Sequence, residues 1–94
     1  MEIRDNSFQR QFEVHHGNQL VTIEYALQDR KLFLTRITKP DGFDDEEFID
    51  SFIRQIVEDA TQRKLKVVPT YPRIASFFRK NPSYKEFLPP GIKI

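Results

Sequence analysis

Residues 41–50 read Asp41-Gly42-Phe43-Asp44-Asp45-Glu46-Glu47-Phe48-Ile49-Asp50, and this stretch divides a strand-patterned first half from one long helix. Asp44 suits an N-cap, since its carboxylate can accept a bond from a free first-turn N–H. Glu47, three residues on, completes a capping-box pattern, and Phe43 with Phe48 takes the positions of a hydrophobic staple. Asp45, Glu46 and Glu47 then lie in the first turn, where the helix dipole favours negative charge. A helix start can also hold an anion when its N–H groups face a ligand. Here six acidic residues and no basic one lie between Asp41 and Asp50, so a phosphate brought to this point meets repulsion.

Downstream, Phe48, Ile49, Phe52, Ile53, Ile56, Val57 and Ala60 carry the spacing of an amphipathic helix over about Asp45–Lys64. Asp50 with Arg54 and Asp59 with Arg63 are i,i+4 pairs on its polar side. Arg63 and Lys64 complement the dipole at its end. Leu65–Pro69 reads as a strand, Pro72 opens a second helix with Ile74, Phe77 and Phe78 as its apolar face, and Asn81-Pro82 stops it. Ser83–Leu88 suits a further short helical turn, and Pro89-Pro90-Gly91 ends regular structure.

Upstream, Lys39-Pro40-Asp41-Gly42 signals a loop. Met1–Asn6 is polar and reads as a loose start. Phe8, Arg10, Phe12 and Val14 alternate with polar residues as a first strand, and His15-His16-Gly17-Asn18 reads as a turn. Leu20–Leu27 forms a second strand, Gln28-Asp29-Arg30 a turn, and Leu32–Thr38 a third strand. Connections this short make the three antiparallel, and a crossover helix makes the fourth parallel to the third. The expected fold is α+β, β-β-β-α-β-α, a mixed twisted sheet with helices on one or both faces.

The 94 residues suit one domain, 1–94, with nine Phe and three Tyr filling its core. A net charge of +1 gives no general affinity for nucleic acid or an acidic membrane. The absence of cysteine removes disulfides, thiolate metal sites and a cysteine nucleophile, and no run is long and apolar enough to span a membrane. A cytoplasmic protein is the expectation. Adjacent His15 and His16 point to different sides of an extended chain and make a poor chelate, so no metal site is expected.

The element order and several strings resemble the small single-domain GNAT-like N-acetyltransferases, over about residues 8–88. The strings are Leu65-Lys66-Val67-Val68-Pro69-Thr70-Tyr71-Pro72 and Arg79-Lys80-Asn81-Pro82-Ser83-Tyr84, with Phe12-Glu13-Val14, Ile23-Glu24-Tyr25 and Leu32-Phe33-Leu34-Thr35 before them. The resemblance implies a GNAT (acyl-CoA N-acyltransferase) fold and, for an enzyme, acetyl-CoA-dependent N-acetyl transfer. It also implies an R-G-x-G-[IL]-[GA] loop for the coenzyme diphosphate before the long helix. The aligned residues are Asp44-Asp45-Glu46-Glu47-Phe48-Ile49, without a glycine or a base. Coenzyme A carries about four negative charges, and one like-charge pair at about 5 Å costs roughly 1 kcal/mol in water and roughly 3 at an effective dielectric of 20. Tyr71 stands where many members have cysteine; it can serve as a general acid but not as a thiolate nucleophile, or it packs as an aromatic.

The resemblance leaves Arg36, Lys39, Arg73, Asn81 and Tyr84 as candidate coenzyme contacts and Tyr71 as the candidate catalytic group. The basic residues Arg73, Arg79, Lys80 and Lys85 read either as an anion site or as a solvated face. Three functions compete: a divergent, noncatalytic member that binds a protein partner through the acidic helix start; an active enzyme with altered coenzyme contacts; and an oligomer subunit whose aromatics line an interface.

Overall fold

Two tight hairpins build most of the sheet, and both depend on left-handed backbone. The computed structural model describes all 94 residues. Its elements are β1 (Arg4–Asn6), β2 (Gln11–His16), β3 (Gln19–Gln28), β4 (Lys31–Thr38), α1 (Glu46–Gln62), β5 (Lys66–Pro69), α2 (Pro72–Lys80) and a closing 3₁₀ segment, Pro82–Phe87. His16 faces Gln19, leaving a two-residue loop that starts at Gly17 with φ +62°. Gln28 faces Lys31, and both residues between them take positive φ, Asp29 at +52° and Arg30 at +60°. That is the type I′ geometry whose twist matches paired strands.

The sheet order is β1-β2-β3-β4-β5, antiparallel except for the parallel β4–β5 pair. A 19-residue hydrophobic cluster joins alternate strand positions (Phe12 and Val14, Val21 and Ile23, Leu32 and Leu34, Val67) to the apolar stripe of α1 and to Ile74, Phe77 and Phe78 of α2. Both helices therefore cover the same face, and the thinnest dimension, 19 Å, suits two layers. Val68, pointing the other way, is buried outside that cluster.

Several sequence expectations are corrected. Arg4–Asn6 is not loose: it forms an edge strand paired with Gln11–Glu13, so five strands rather than four make up the sheet. Phe8 is not in a strand; it sits in the turn before β2 and is 94% exposed, because Arg10 adopts φ +56° and breaks the extended run. His15 and His16 end β2 rather than form the turn. The α1 N-cap is Asp45, one residue later than expected, and its Oδ1 accepts from the Phe48 N–H at 3.0 Å. Glu47 therefore completes no capping box, yet Phe43 and Phe48 still meet, with ring centroids 6.0 Å apart. The Asp59–Arg63 pair forms at 3.7 Å, whereas Asp50 binds Arg73 instead of Arg54.

Glu13 is a buried carboxylate on the face that no helix covers. Its two oxygens accept from Gln11 Nε2 at 2.7 Å, Asn6 Nδ2 at 2.9 Å and Arg4 Nε at 3.1 Å. The bonds from Gln11, then Asn6, then Arg4 stabilise the ionised form and hold its pKa near about 2, against an ordinary 4.5. These bonds are also what tie the polar β1 to the sheet.

Two outcomes are expected. Because the folded pKa is depressed, the Glu13 contribution is full above about pH 4.5 and is lost as pH falls toward about 2. Urea midpoints measured from pH 6 to pH 2 should therefore fall less steeply for Glu13→Gln than for the wild type across that window. Arg30→Gly relieves a left-handed residue and should raise stability by about 0.5 kcal/mol, read as a thermal midpoint a few degrees higher.

Candidate functional site

Pairing of β4 with β5 ends early, and a cavity opens where it stops. The register runs from Lys31 against Lys66 to Leu34 against Pro69. The last link is Thr70, whose N–H and hydroxyl both donate to the Leu34 carbonyl, at 3.1 and 3.2 Å. Beyond it β4 continues to Thr38 beside no fifth-strand partner. The space so left is about 170 Å³ and is lined by Ile37, Lys39, Glu46, Ile49, Tyr71 and Arg73. It thus collects the end of β4, the first turns of α1 and the start of α2.

A bulge decides which β4 residues face this space. Glu24 faces Arg36 and Tyr25 faces Leu34, so Thr35 is an extra residue on β4, and its hydroxyl donates to the Glu24 carbonyl at 3.2 Å. The insertion switches the alternation. Leu34 and Ile37 both point into the core, and Lys39, two residues past Ile37, reaches the cavity. Arg36 is turned to the uncovered face, opposite Glu24.

Charges at the cavity mouth are mostly matched within the chain, although Arg73 Nη1 is buried without a partner. Arg73 donates from Nε to Glu46 Oε1 at 2.8 Å, from Nη2 to Asp50 Oδ1 at 3.0 Å and from Nη2 to the Glu46 carbonyl at 3.3 Å. Lys39 Nζ lies 3.5 Å from Glu46 Oε2. The Arg73 bond, with smaller help from Lys39, lowers the Glu46 pKa. Asp45 is likewise spent: beyond its cap bond, its Oδ2 lies 3.0 Å from His16 Nε2. The His16 ring stands edge-on to Phe43 and Phe48, at 5.2 and 4.5 Å between centroids.

Of the residues singled out in the sequence, the fold brings Lys39, Tyr71 and Arg73 to one cavity. Tyr71 sits at the N-cap of α2, where its carbonyl accepts from the Ile74 and Ala75 N–H groups, both at 2.9 Å, and its ring packs against the core. Asn81 lies at the other end of α2 and donates to the Phe77 carbonyl at 2.8 Å. The Tyr84 hydroxyl donates to Glu58 at 2.8 Å; burial, then this bond, raise its pKa. Neither Asn81 nor Tyr84 lines the cavity. Glu46, read from the sequence as a first-turn acid that repels phosphate, and Asp50, read as the partner of Arg54, are the partners of Arg73. A separation of 27 residues hides the Glu46 contact from any spacing rule.

A mixed sheet whose parallel pair splays beside a crossover helix, with a second helix after the fifth strand, is a GNAT-like fold. The model of the family described as GCN5-related N-acetyl-transferase matches residues 11–87, and the chain belongs to that family. No curated protein matches it.

The clamp should be measurable. Arg73→Met keeps the apolar stem but leaves Glu46 and Asp50 without their shared cation. It should cost about 1–2 kcal/mol by denaturant titration, near the low end because Glu46 is half exposed. Arg73→Lys should recover less than half of the loss, since an ammonium cannot bridge two carboxylates and a carbonyl as the guanidinium fork does.

Proposed function

We propose that this chain is a GNAT-fold protein that acts by binding a partner and does not transfer acetyl groups from acetyl-CoA. The observation that carries this reading is the double use of Glu46. It holds Lys39 and Arg73, the two cations at the cavity, in the place where a coenzyme diphosphate needs free positive charge. The fit fails in four further respects. The first turn of α1 presents Glu46 and Glu47 after the Asp45 cap, with no glycine to let a phosphate approach the backbone. A 170 Å³ cavity lies below the roughly 300–1,000 Å³ of pockets that enclose a whole ligand. Tyr71 supplies no thiolate. Arg36 on the uncovered face, and Asn81 and Tyr84 at the far end of α2, bring no replacement charge to the cavity mouth.

Fold membership alone does not decide activity, and the same scaffold carries binding roles when its site is rebuilt. In this reading Lys39, Glu46, Asp50 and Arg73 are structural: they tie the start of α2 to the start of α1. We propose a cytoplasmic location.

Thermal unfolding with 1 mM acetyl-CoA at low salt tests the proposal, with ATP as a control. A coenzyme bound with a dissociation constant of about 10 μM would stabilise by about 2.7 kcal/mol, a rise of roughly 10 °C for a domain of this size. A shift under 1 °C is expected. A rise of several degrees with acetyl-CoA and none with ATP would overturn the reading and restore Tyr71 as the candidate catalytic group and Arg73 as a candidate coenzyme contact.

A further inference from the structure

The two edges of the sheet differ in what they offer. At β5 the Lys66 N–H already donates to the Arg30 carbonyl and the following Thr70 N–H to the Leu34 carbonyl, at 3.1 Å each, and Pro69 has no N–H. That leaves Val67 as the only residue of the strand with an outward donor, a blunted edge. At the opposite edge, β1 pairs with β2 alone and its outer side is unpaired.

A groove of about 710 Å³ runs beside that free edge, between the first residues of the chain, β2 and α1. Its apolar floor is Ile3, Phe12 and Ile56, which are also packed on the core. Three carboxylates, Glu2, Asp5 and Asp59, also line the groove, with His15 and the Met1 amino group; Glu13 and Arg4 line it as well, on the face away from the helices. Arg4 is bound to Glu13. Asp5 accepts only a neutral hydroxyl, from Tyr25 at 2.6 Å, and Asp59 has Arg63 at a loose 3.7 Å outside the lining. A chain of net charge +1 thus gathers negative charge at one edge of its sheet.

We propose that this edge binds an extended basic segment of a partner protein, added to β1 as a sixth strand. The inference rests on the reading of the chain as a binding protein and supplies the class of partner. An added strand would satisfy the outward groups of β1 through main-chain bonds, the source of affinity in strand addition. Asp5 pairs with Phe12 and so shares the helix-covered face with Ile3, Ile56 and Asp59; basic residues of the added strand on that face reach Asp5 and Asp59, and the alternate residues lie on the face of the Arg4–Glu13 pair. The site is distinct from the β4–β5 cavity, which lies across the sheet, about 14–19 Å away at the usual strand spacing.

Fluorescence anisotropy of a labelled KVKVKVK peptide with the whole chain tests this, with EVEVEVE as the charge-reversed control. Saturable binding of the basic peptide is expected, with none for the acidic one. Glu2→Lys with Asp59→Lys, both exposed positions, should weaken binding at least tenfold, whereas Glu86→Lys, on the 3₁₀ segment, should leave it unchanged. Amide hydrogen exchange at Arg4–Asn6 should slow when the peptide binds, which diffuse charge attraction would not cause. No saturation at millimolar peptide, equal loss in Glu86→Lys, or binding without protection of Arg4–Asn6 would each overturn the proposal. Both readouts proceed without coenzyme, so their failure is separate from any result with acetyl-CoA.

Discussion

The parallel pairing of β4 with β5 is the constraint from which the rest of the structure follows. Parallel neighbours cannot be joined by a tight turn, so the chain must cross over, and α1 is that crossover. Its stripe from Ile49 to Ala60 then lies on one sheet face and completes the core with alternate residues of β2, β3 and β4. Where the chain turns away after Thr70, β4 keeps β3 on one side but has no partner on the other, and the cavity forms there between strand and helix. The GNAT-like character of the fold resides in this splayed pair, not in the hairpins that precede it.

Around that opening, the chain has exchanged one electrostatic solution for another. Free N–H groups and cations at a helix start make an anion site. Here the cap donor is taken by Asp45, and the two cations of the cavity are taken by Glu46. The carboxylate that repels an incoming phosphate is thus the one that neutralises Arg73 and Lys39. Stability and coenzyme binding draw on the same charges at this point, and the sequence has committed them to the fold. The bulge at Thr35 acts in the same direction, since it turns Arg36 away from the cavity and leaves Lys39 as the strand's contribution.

Charge is also distributed across the sheet in a way that composition hides. A net charge of +1 reads as neutral, yet the β1 edge gathers carboxylates while Lys66, Lys85 and Lys93 surround the groove beside the C-terminal tail. Long-range steering depends on such local fields and not on the total.

Short-range physics was legible in the sequence. The 3.6-residue stripe determined α1, Pro72 and Asn81-Pro82 bracketed α2, and the alternation from Leu20 to Leu27 determined β3, because each depends on neighbours within a few residues. The staple of Phe43 and Phe48 was legible for the same reason, although the cap moved by one residue. Tertiary structure alone decided the rest. β1 is polar and is held by partners on β2, so no periodicity marks it. The Thr35 bulge shifts the alternation by one, which only strand pairing reveals. Asp50 had an acceptable local partner in Arg54, and the fold gave it Arg73 instead. A fork that reaches two carboxylates and a carbonyl in a partly buried position outcompetes one solvated i,i+4 pair. The cavity and its matched charges are assembled from β4, α1 and α2, and contacts between such distant parts of the chain exist only once the crossover has brought them together.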